Sequence, residues 1–243
     1  MDSAALNVTA LTAGYVKNLP ILHDVSITVP RAAVTVIIGP NGAGKSTLIK
    51  AIAGVVPVSS GNISLNGADI TGMRPDQMAR HHMAYVPQTD NIFRTLSIRQ
   101  NLDLVLRHSK DQATARRDAL YVRFPDLAAK EREKAAALSG GQRQMLAVAM
   151  ALATDPQLIL MDEPSAGLSP KAAQEVLELA RSLTEQGVTI LLVEQNVKQA
   201  LRLADHCYIL AEGRNQVDGA AADLLADPIV GEIYLGGKRV QAS

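Results

Sequence analysis

Cysteine, tryptophan and long apolar runs are rare or absent in this chain of 243 residues. Its one cysteine, Cys207, excludes an internal disulfide and a cysteine-based metal cluster, and suits a reducing compartment. We expect an ordinary buried thiol there. No apolar run approaches the roughly 18 residues that span a bilayer, and the first residues lack a basic segment followed by an apolar one. These absences predict a soluble, cytoplasmic protein that can still dock on a membrane-embedded partner.

An excess of charge of one sign is missing as well. The 24 basic and 24 acidic side chains balance to zero formal charge, whereas nucleic-acid binding and polybasic membrane anchoring need a basic excess. Both are disfavoured. With 47% of its residues apolar, the chain can bury a sizeable core. No metal-ligand spacing occurs among the histidines, which we expect at the surface or in packing: His23, His81, His82, His108 and His206.

Residues 39–47 match the phosphate-binding P-loop at every fixed position of its motif. An apolar run at 33–38 predicts a buried parallel strand before the loop, and the spacing of 46–52 predicts a helix after it. In that context backbone N–H groups and the helix dipole face phosphate oxygens. Lys45 would reach the β- and γ-phosphates and Ser46 would bind Mg²⁺; a chance glycine-rich turn is the disfavoured alternative. The predicted nucleotide-binding residues are Gly39, Asn41, Gly42, Ala43, Gly44, Lys45, Ser46 and Thr47.

Two carboxylates follow an apolar run at 158–161. Asp162 and Glu163 therefore stand at the carboxyl end of a predicted buried strand. Adjacent carboxylates in that place have distinct tasks, because one holds Mg²⁺ through water while the other takes a proton from an attacking water.

Polar side chains also follow two more predicted strands. A short strand at 83–86 ends just before Gln88, and a fully buried strand at 188–193 runs into Glu194 and Gln195.

Between about 91 and 156 strand signals vanish, and the composition predicts an α-helical insertion. Pro125 interrupts it, and the charged run at 130–134 is expected on a solvated helical face, not in a binding patch. The apolar positions near helical spacing are Ile98, Leu102, Val105 and Leu106.

The sequence Leu138-Ser139-Gly140-Gly141-Gln142 precedes an apolar helical pattern at 143–153. A serine at the N-cap followed by two glycines exposes backbone N–H groups, which predicts a second anion-binding helix terminus. By itself the pentapeptide could equally be a plain helix cap.

Tyr15 lies in a turn between two predicted antiparallel strands, 6–13 and 25–29. An aromatic ring on the amino-terminal side of the P-loop could stack on a purine base. The alternative is a half-buried tyrosine at a strand end, and position alone leaves both open.

Five features occur here in a fixed order: the P-loop, Gln88, the 138–142 motif, the Asp162-Glu163 strand and the segment 165–168. This order resembles the ATP-binding cassette (ABC) family from end to end. Three segments, 165–170, 193–196 and 233–236, are similar to the ATPase subunits of bacterial branched-chain amino-acid importers. No guanine-reading Asn/Thr-Lys-x-Asp motif is present, which favours ATP over GTP.

The resemblance implies a role for each matching residue. It makes Tyr15 the adenine-stacking aromatic, and it places Gln88 near Mg²⁺ and the attacking water. It implies that Asp162 orders Mg²⁺ and that Glu163 is the general base. The implied catalytic residues are Glu163, Gln195 and Lys45, and the implied metal-binding residues are Ser46, Gln88 and Asp162.

The chain departs from the common family pattern at two positions. Gln195 stands where most members have a histidine that contacts the γ-phosphate, so its role becomes electrostatic positioning; capping a helix that begins near Asn196 is the alternative. Ser169 replaces a frequent aspartate, which puts signalling through that carboxylate in doubt. The resemblance further implies that two subunits pack head to tail around ATP. The motif residues facing Lys45 of the second subunit would be Ser139, Gly140, Gly141 and Gln142.

We therefore expect one α/β domain over 1–243, with a P-loop NTPase core of mostly parallel sheet and an N-terminal antiparallel β-subdomain. Residues 1–90 and 157–243 would form this core, and 91–156 the inserted α-helical subdomain. A helix is expected from 227 to about 236.

The implied partners are a second ABC ATPase subunit, identical or different, and permease subunits that dock on the helical subdomain. The contact residues would be Ile92, Phe93, Leu96 and Ile98, unless these fill the core. A solute-binding protein would act indirectly, and the chain would sit on the inner face of the cell membrane. An exporter or lipopolysaccharide-extraction ATPase and a soluble ABC ATPase remain open, and a small-molecule kinase is a distant third.

Overall fold

The computed structural model describes residues 4–16, 18–107, 112–227 and 230. Within these ranges two sheets are flanked by helices. The strands are β1 (Ala4–Ala13), β2 (Leu22–Pro30), β3 (Val34–Ile38), β4 (Val58–Leu65), β5 (Ala68–Asp69), β6 (Met83–Val86), β7 (Leu158–Asp162), β8 (Thr189–Val193), β9 (His206–Ala211) and β10 (Arg214–Ala220). The α-helices are α1 (Lys45–Ile52), α2 (Pro75–Met78), α3 (Ile98–Leu106), α4 (Ala113–Arg123), α5 (Pro125–Ala129), α6 (Gly140–Leu152), α7 (Pro170–Thr184), α8 (Val197–Leu203) and α9 (Ala221–Ala226).

The larger sheet has six strands in the order β10-β9-β3-β8-β7-β6. From β9 to β6 all neighbours are parallel, and β10 closes one edge as an antiparallel strand. Every residue of β3, β7 and β8 is buried, because helices of the insertion and α7 cover one face of the sheet, and α1 with strands β1 and β2 covers the other. The unbroken apolar runs in the sequence therefore become the centre of the sheet, as predicted.

The smaller sheet is antiparallel, in the order β2-β1-β4-β5. Along β2 the side chains alternate between buried and exposed, the pattern of a sheet with one covered face. The predicted strands at 6–13 and 25–29 are confirmed, whereas β4 begins at Val58 and is longer than the predicted 62–65.

The Tyr208 side chain on β9 ties the two sheets together. Its hydroxyl accepts a hydrogen bond from Thr28 N at 2.9 Å and donates one to Thr28 O at 3.2 Å. Tyr208 thus satisfies both backbone groups of one residue on β2, the edge strand of the smaller sheet.

The segment between β6 and β7 contains the helices α3 to α6 joined by turns, and its buried side chains join those of the large sheet in one core cluster. Ile98, Leu102 and Leu106 are fully buried on α3, and Val105 packs partly against them. Pro125 separates α4 from α5, as predicted. No helix in the described ranges is long and apolar enough to cross a membrane.

The charged run at 130–134 is not a helical face, so that expectation is wrong. Most of it is exposed, but it forms a turn, and its carbonyls accept hydrogen bonds from the start of α3. Glu133 O accepts from Ile98 N at 3.1 Å, and Glu131 O accepts from Arg99 N at 2.9 Å. The first N–H groups of a helix have no intrahelical partner, and this turn supplies one for two of them.

Of three other expectations, the one for Cys207 has an outcome, and the other two fall almost wholly outside the described residues. Cys207 is buried, and burial raises the pKa of its thiol to about 12, so it is an unreactive core residue at neutral pH. The expected helix at 227–236 lies almost wholly outside the described residues, and His108 lies outside them too. The short helix α9 was missing from the sequence-based prediction.

We predict that Tyr208→Phe lowers the free energy of unfolding by about 1–3 kcal/mol, because two partly buried backbone groups lose their hydrogen-bond partner. Urea denaturation measures it as a shift in midpoint with an unchanged slope. Thr28→Ala is the matched control, since Tyr208 binds only the backbone of Thr28. Equal losses in the two variants would contradict the assignment.

Candidate functional site

The carboxyl ends of β3, β7 and β8 meet in one place. In the sheet register Val193, the last residue of β8, pairs with Ile37 on one side and with Asp162 on the other. The residues that follow these strands, including the P-loop, Glu163 and Glu194, are therefore adjacent.

The P-loop needs glycine where its backbone turns. Gly39 has φ +150°, and a Cβ on it would lie 2.1 Å from Leu210 O; Gly44 has φ +96° and lies against the Leu22 side chain. Gly44 is the N-cap of α1 and provides no side-chain cap. The first-turn N–H groups of α1 thus remain available to an anion, with the helix dipole behind them.

Lys45 is buried against the loop, with a relative exposure of 4%. Its Nζ donates to Gly39 O at 2.9 Å and to Pro40 O at 3.0 Å. Burial lowers the pKa of Lys45, while Glu163 and Asp162 act in the opposite direction. An ammonium has three donors, so one N–H is left for a further acceptor.

Asp162 links β7 to the P-loop helix. Its Oδ1 accepts from Ser46 Oγ at 2.9 Å, and its Oδ2 accepts a longer bond from Tyr85 OH at 3.4 Å. Burial raises the pKa of Asp162, and the Ser46 hydrogen bond lowers it. Burial also raises the pKa of Tyr85, with Asp162 adding to that shift.

The oxygen atoms around Asp162 suit a hard cation such as Mg²⁺. No group of three or more His, Cys, Asp or Glu side chains that could hold a metal exists among the described residues. A site of this kind cannot enclose an ion by itself. It fits the usual magnesium site, in which one or two carboxylates act together with substrate phosphates and water.

Glu163 adopts a left-handed backbone with φ +49°, which is uncommon outside glycine and concentrates at functional sites. Its Oε2 accepts two hydrogen bonds, from Gln88 Nε2 at 2.8 Å and from Gln195 Nε2 at 2.6 Å. Asn196, not Gln195, caps α8, so the helix-cap alternative for Gln195 is wrong. The structure brings these three predicted residues into direct contact.

Glu194 is a buried carboxylate that sequence reasoning did not single out. It is 2% exposed, and its Oε2 accepts from Ser165 Oγ at 2.8 Å while its Oε1 accepts from Ser165 N at 3.0 Å. The only sequence signal was an apolar strand that ends in a carboxylate, the same signal that identified Asp162.

The 138–142 motif forms a capping box in this chain. Ser139 Oγ accepts from Gln142 N, and Gln142 Oε1 accepts from Ser139 N. The two glycines permit close helix packing, because a Cβ on Gly141 would lie 2.8 Å from Ala172 Cβ and one on Gly140 would lie 3.2 Å from Leu168. The hydrogen bonds between Ser139 and Gln142 are those of a plain helix cap. The anion-binding role of the motif stays a prediction.

Tyr15 lies beyond the end of β1 with 54% of its surface exposed. Tyr15 contributes slightly to the raised pKa of Tyr85, so the two side chains lie near each other. The ring can offer a face to a base, but the same exposure fits a half-buried tyrosine at a strand end, so both interpretations stay open.

The four apolar residues expected at a permease contact differ in environment. Ile98 is fully buried and is part of the core, which corrects the expectation for that residue. Phe93 is 55% exposed, and Ile92 and Leu96 are intermediate.

A family model described as ABC transporter matches residues 22–166, more than half of the chain. The chain belongs to the ABC transporter family. Two similar ABC relatives carry names that specify transport. A probable branched-chain amino acid transport ATP-binding protein LivF of Archaeoglobus fulgidus is 43% identical over 222 residues, 90% of this chain and 94% of its own. The BraG protein of Pseudomonas aeruginosa, named as a high-affinity branched-chain amino acid transport ATP-binding protein, is 39% identical over 92% of this chain and 96% of its own.

Other ABC proteins share the fold at lower identity. The lipopolysaccharide export system ATP-binding protein LptB of Escherichia coli is 33% identical, covering 96% of this chain and 98% of its own. A solved nucleotide-free ATP-binding cassette from an ABC transporter superposes with a TM-score of 0.84 at 29% identity, over 97% of this chain and 100% of that one. The chain is thus an ABC-type ATPase with a P-loop NTPase fold, as the motifs predicted.

We predict that Gly39→Ala weakens ATP binding of this ABC ATPase about tenfold or more, because the left-handed backbone and the contact with Leu210 O cost about 1–3 kcal/mol. Gly42→Ala is the control. Gly42 also has a positive φ, +80°, but no atom lies within 4 Å of its added Cβ. Isothermal titration with Mg-ATP should show the smaller loss for Gly42→Ala, and equal losses would refute the steric explanation.

Proposed function

We propose that this chain is the ATP-hydrolysing subunit of an importer for branched-chain amino acids. The observation that carries the proposal is the similarity to the LivF and BraG proteins, at 43% and 39% identity over nine-tenths of the chain or more. A cassette ATPase does not contact the transported solute. Similarity over the whole chain therefore indicates the solute better than any single residue does.

In the proposed complex ATP lies on the P-loop and α1. The β- and γ-phosphates accept from the first-turn N–H groups of α1 and from Lys45 Nζ, whose third donor is free for them. The residues of this cradle are those of the predicted set, Gly39 and 41–47. Tyr15 stacks on the adenine with its exposed face.

Mg²⁺ would be held by Ser46 Oγ and the Asp162 carboxylate together with the phosphates, and Gln88 would approach with its amide oxygen. The Gln88 amide nitrogen is already committed to Glu163, which directs the oxygen elsewhere. When bound, the ion neutralises phosphate charge and polarises the phosphoryl group.

Glu163 is placed to act as the general base. The Gln88 and Gln195 amides hold its Oε2, which leaves Oε1 to accept a proton from water as the water oxygen attacks the γ-phosphorus. The bond from the γ-phosphorus to the bridging oxygen breaks, and ADP leaves with that electron pair. Lys45 and Gln195 stabilise the charge that develops on the phosphoryl oxygens.

Completion of the site would require a second subunit, identical or homologous. In this chain Ser139 and Gln142 cap α6, whereas Gly140 lies against Leu168 and Gly141 against Ala172 of α7. Head-to-tail packing would instead let these residues of one subunit face the γ-phosphate held by Lys45 of the other. Hydrolysis would remove the shared phosphate and let the pair open.

Permease subunits would dock on the helical insertion. Of the predicted contact residues, Phe93 offers the most exposed apolar surface, and it lies five residues after Gln88, which contacts the proposed base. A solute-binding protein would act through these permeases.

Two variants test the ATPase arrangement. We predict that Lys45→Ala abolishes tight ATP binding, because the ammonium is lost from the phosphate cradle. Glu163→Gln should keep ATP binding, lower turnover by about 10²–10⁴-fold and accumulate as a closed dimer. Calorimetry measures ATP binding, phosphate release measures turnover, and gel filtration with Mg-ATP measures dimer formation, in the chain alone and with its permease. Wild-type turnover in Glu163→Gln would exclude Glu163 as the base.

Solute uptake tests the transport proposal. Source cells that lack the chain should lose uptake of labelled leucine, isoleucine and valine, and the wild-type gene, but not Lys45→Ala, should restore it. Labelled lysine is the control solute. Unchanged uptake, with a defect in lipopolysaccharide export instead, would favour the export role that the LptB relative represents at 33% identity.

A further inference from the structure

Glu194 is an almost fully buried carboxylate just after the end of β8. The residue is 2% exposed, and burial raises the pKa of its carboxyl group while the hydrogen bonds from Ser165 and Gln195 lower it. Removing a carboxylate from water is costly unless donors replace the water. Three donors do so here: Ser165 N, Ser165 Oγ and Gln195 N, at 3.0, 2.8 and 3.3 Å.

These contacts join two loops that both lead to Glu163. Ser165 follows Glu163 by two residues on the loop between β7 and α7, while Gln195 follows Glu194 on the loop after β8 and donates to Glu163 Oε2. Glu194 thus closes a circuit of contacts around Glu163. Neither loop can shift against the other without breaking a bond to the Glu194 carboxylate.

The loop that Glu194 holds separates two cavities. Residues 166–168 line a cavity of about 370 Å³ together with Glu163 and Gln195, and they also line a cavity of about 500 Å³ together with Gln88 and Gly140. In the described part of the chain, Ser165 of this loop donates two hydrogen bonds to the Glu194 side chain, one from its backbone N and one from its hydroxyl. The place of this loop therefore determines the shape of both spaces.

Ser169, at the end of the same loop, does not supply that anchor. Its hydroxyl accepts from Ala172 N and caps α7. The anchoring of the loop thus falls to Glu194, the residue that follows β8.

We propose that Glu194 is a positioning residue for ATP hydrolysis, one that holds Ser165 and Gln195 in register with Glu163. The proposal rests on the proposed roles of Glu163 and Gln195. Glu194 itself touches neither nucleotide nor water in this account. It acts by keeping the amide of Gln195 and the 165–168 loop where the reaction needs them.

Glu194→Gln is the decisive variant, because it keeps the shape but replaces one acceptor oxygen with an NH₂ that faces donors. We expect turnover by the complex with its permease to fall about 10²-fold, the typical cost of a displacement near 1 Å at a reacting site. The KM for ATP should stay within about twofold, because the P-loop is untouched.

Thr189→Val is the matched control. Thr189 is also 2% exposed and begins β8, the strand that leads into Glu194, and its hydroxyl accepts from Ala32 N. It should lower thermal stability without changing turnover. A structural role alone predicts that Glu194→Gln behaves as Thr189→Val does, and that result would overturn the proposal.

Ser165→Ala supplies a second line of evidence, which also holds if Glu194→Gln fails to fold. It removes one of the three donors and should slow turnover with ATP affinity unchanged. The double variant should be no slower than Glu194→Gln, because the two residues act through one contact. Losses in turnover that multiply in the double variant, or wild-type turnover in Ser165→Ala, would count against the positioning role of Glu194. A Glu163→Gln variant that still turns over would instead show that the proposed catalytic arrangement, not the positioning role of Glu194, is wrong.

Discussion

The register of three parallel strands is the constraint on which the whole site depends. Val193 pairs with Ile37 and with Asp162, so the P-loop, the two carboxylates after β7 and the polar pair after β8 emerge side by side. A slip of one residue would turn each side chain to the other face of its strand. Burial on both faces prevents such a slip, because it would place polar groups in the core. The apolar core thereby determines the chemistry at its edge.

Three carboxylates and one ammonium meet at that edge under nearly complete burial. Asp162, Glu163 and Glu194 are between 1% and 6% exposed, and Lys45 is 4% exposed. Neutral donors satisfy the carboxylates, since hydroxyls bind Asp162 and amides bind Glu163. Lys45 is the buried positive charge beside these three groups, and Lys50 also acts on Asp162; the carboxylates still favour a further cation. On the proposed function, that cation arrives with the nucleotide, so Mg²⁺ and ATP reinforce each other's binding.

Motifs and periodicity predicted the central strands of the large sheet and the polar residues that follow them. The P-loop, Asp162, Glu163, Gln88 and Gln195 stand at strand ends, and a strand end is a local feature of the sequence. Relations across long separations were not predictable in the same way. Three contacts join segments whose pairing no sequence spacing indicates. They are the contact of Glu194 with Ser165, that of Tyr208 with Thr28 on β2, and that of the 131–133 turn with the start of α3. The error at 130–134 has the same origin, because charge composition suits an exposed helix and an exposed turn equally.

The two glycine-rich helix termini of this chain differ in readiness for an anion. The first turn of α1 has no side-chain cap, whereas Ser139 and Gln142 already cap α6. A phosphate on α1 therefore displaces no side-chain cap, but one on α6 must replace the capping bond, which is worth about 1 kcal/mol. That exchange is inexpensive only when another subunit already holds the phosphate in place. The packing of Gly140 and Gly141 on Leu168 and Ala172 places this second terminus against the loop that Glu194 anchors. Capture of the γ-phosphate by α6 and alignment of Glu163 would then depend on the same loop.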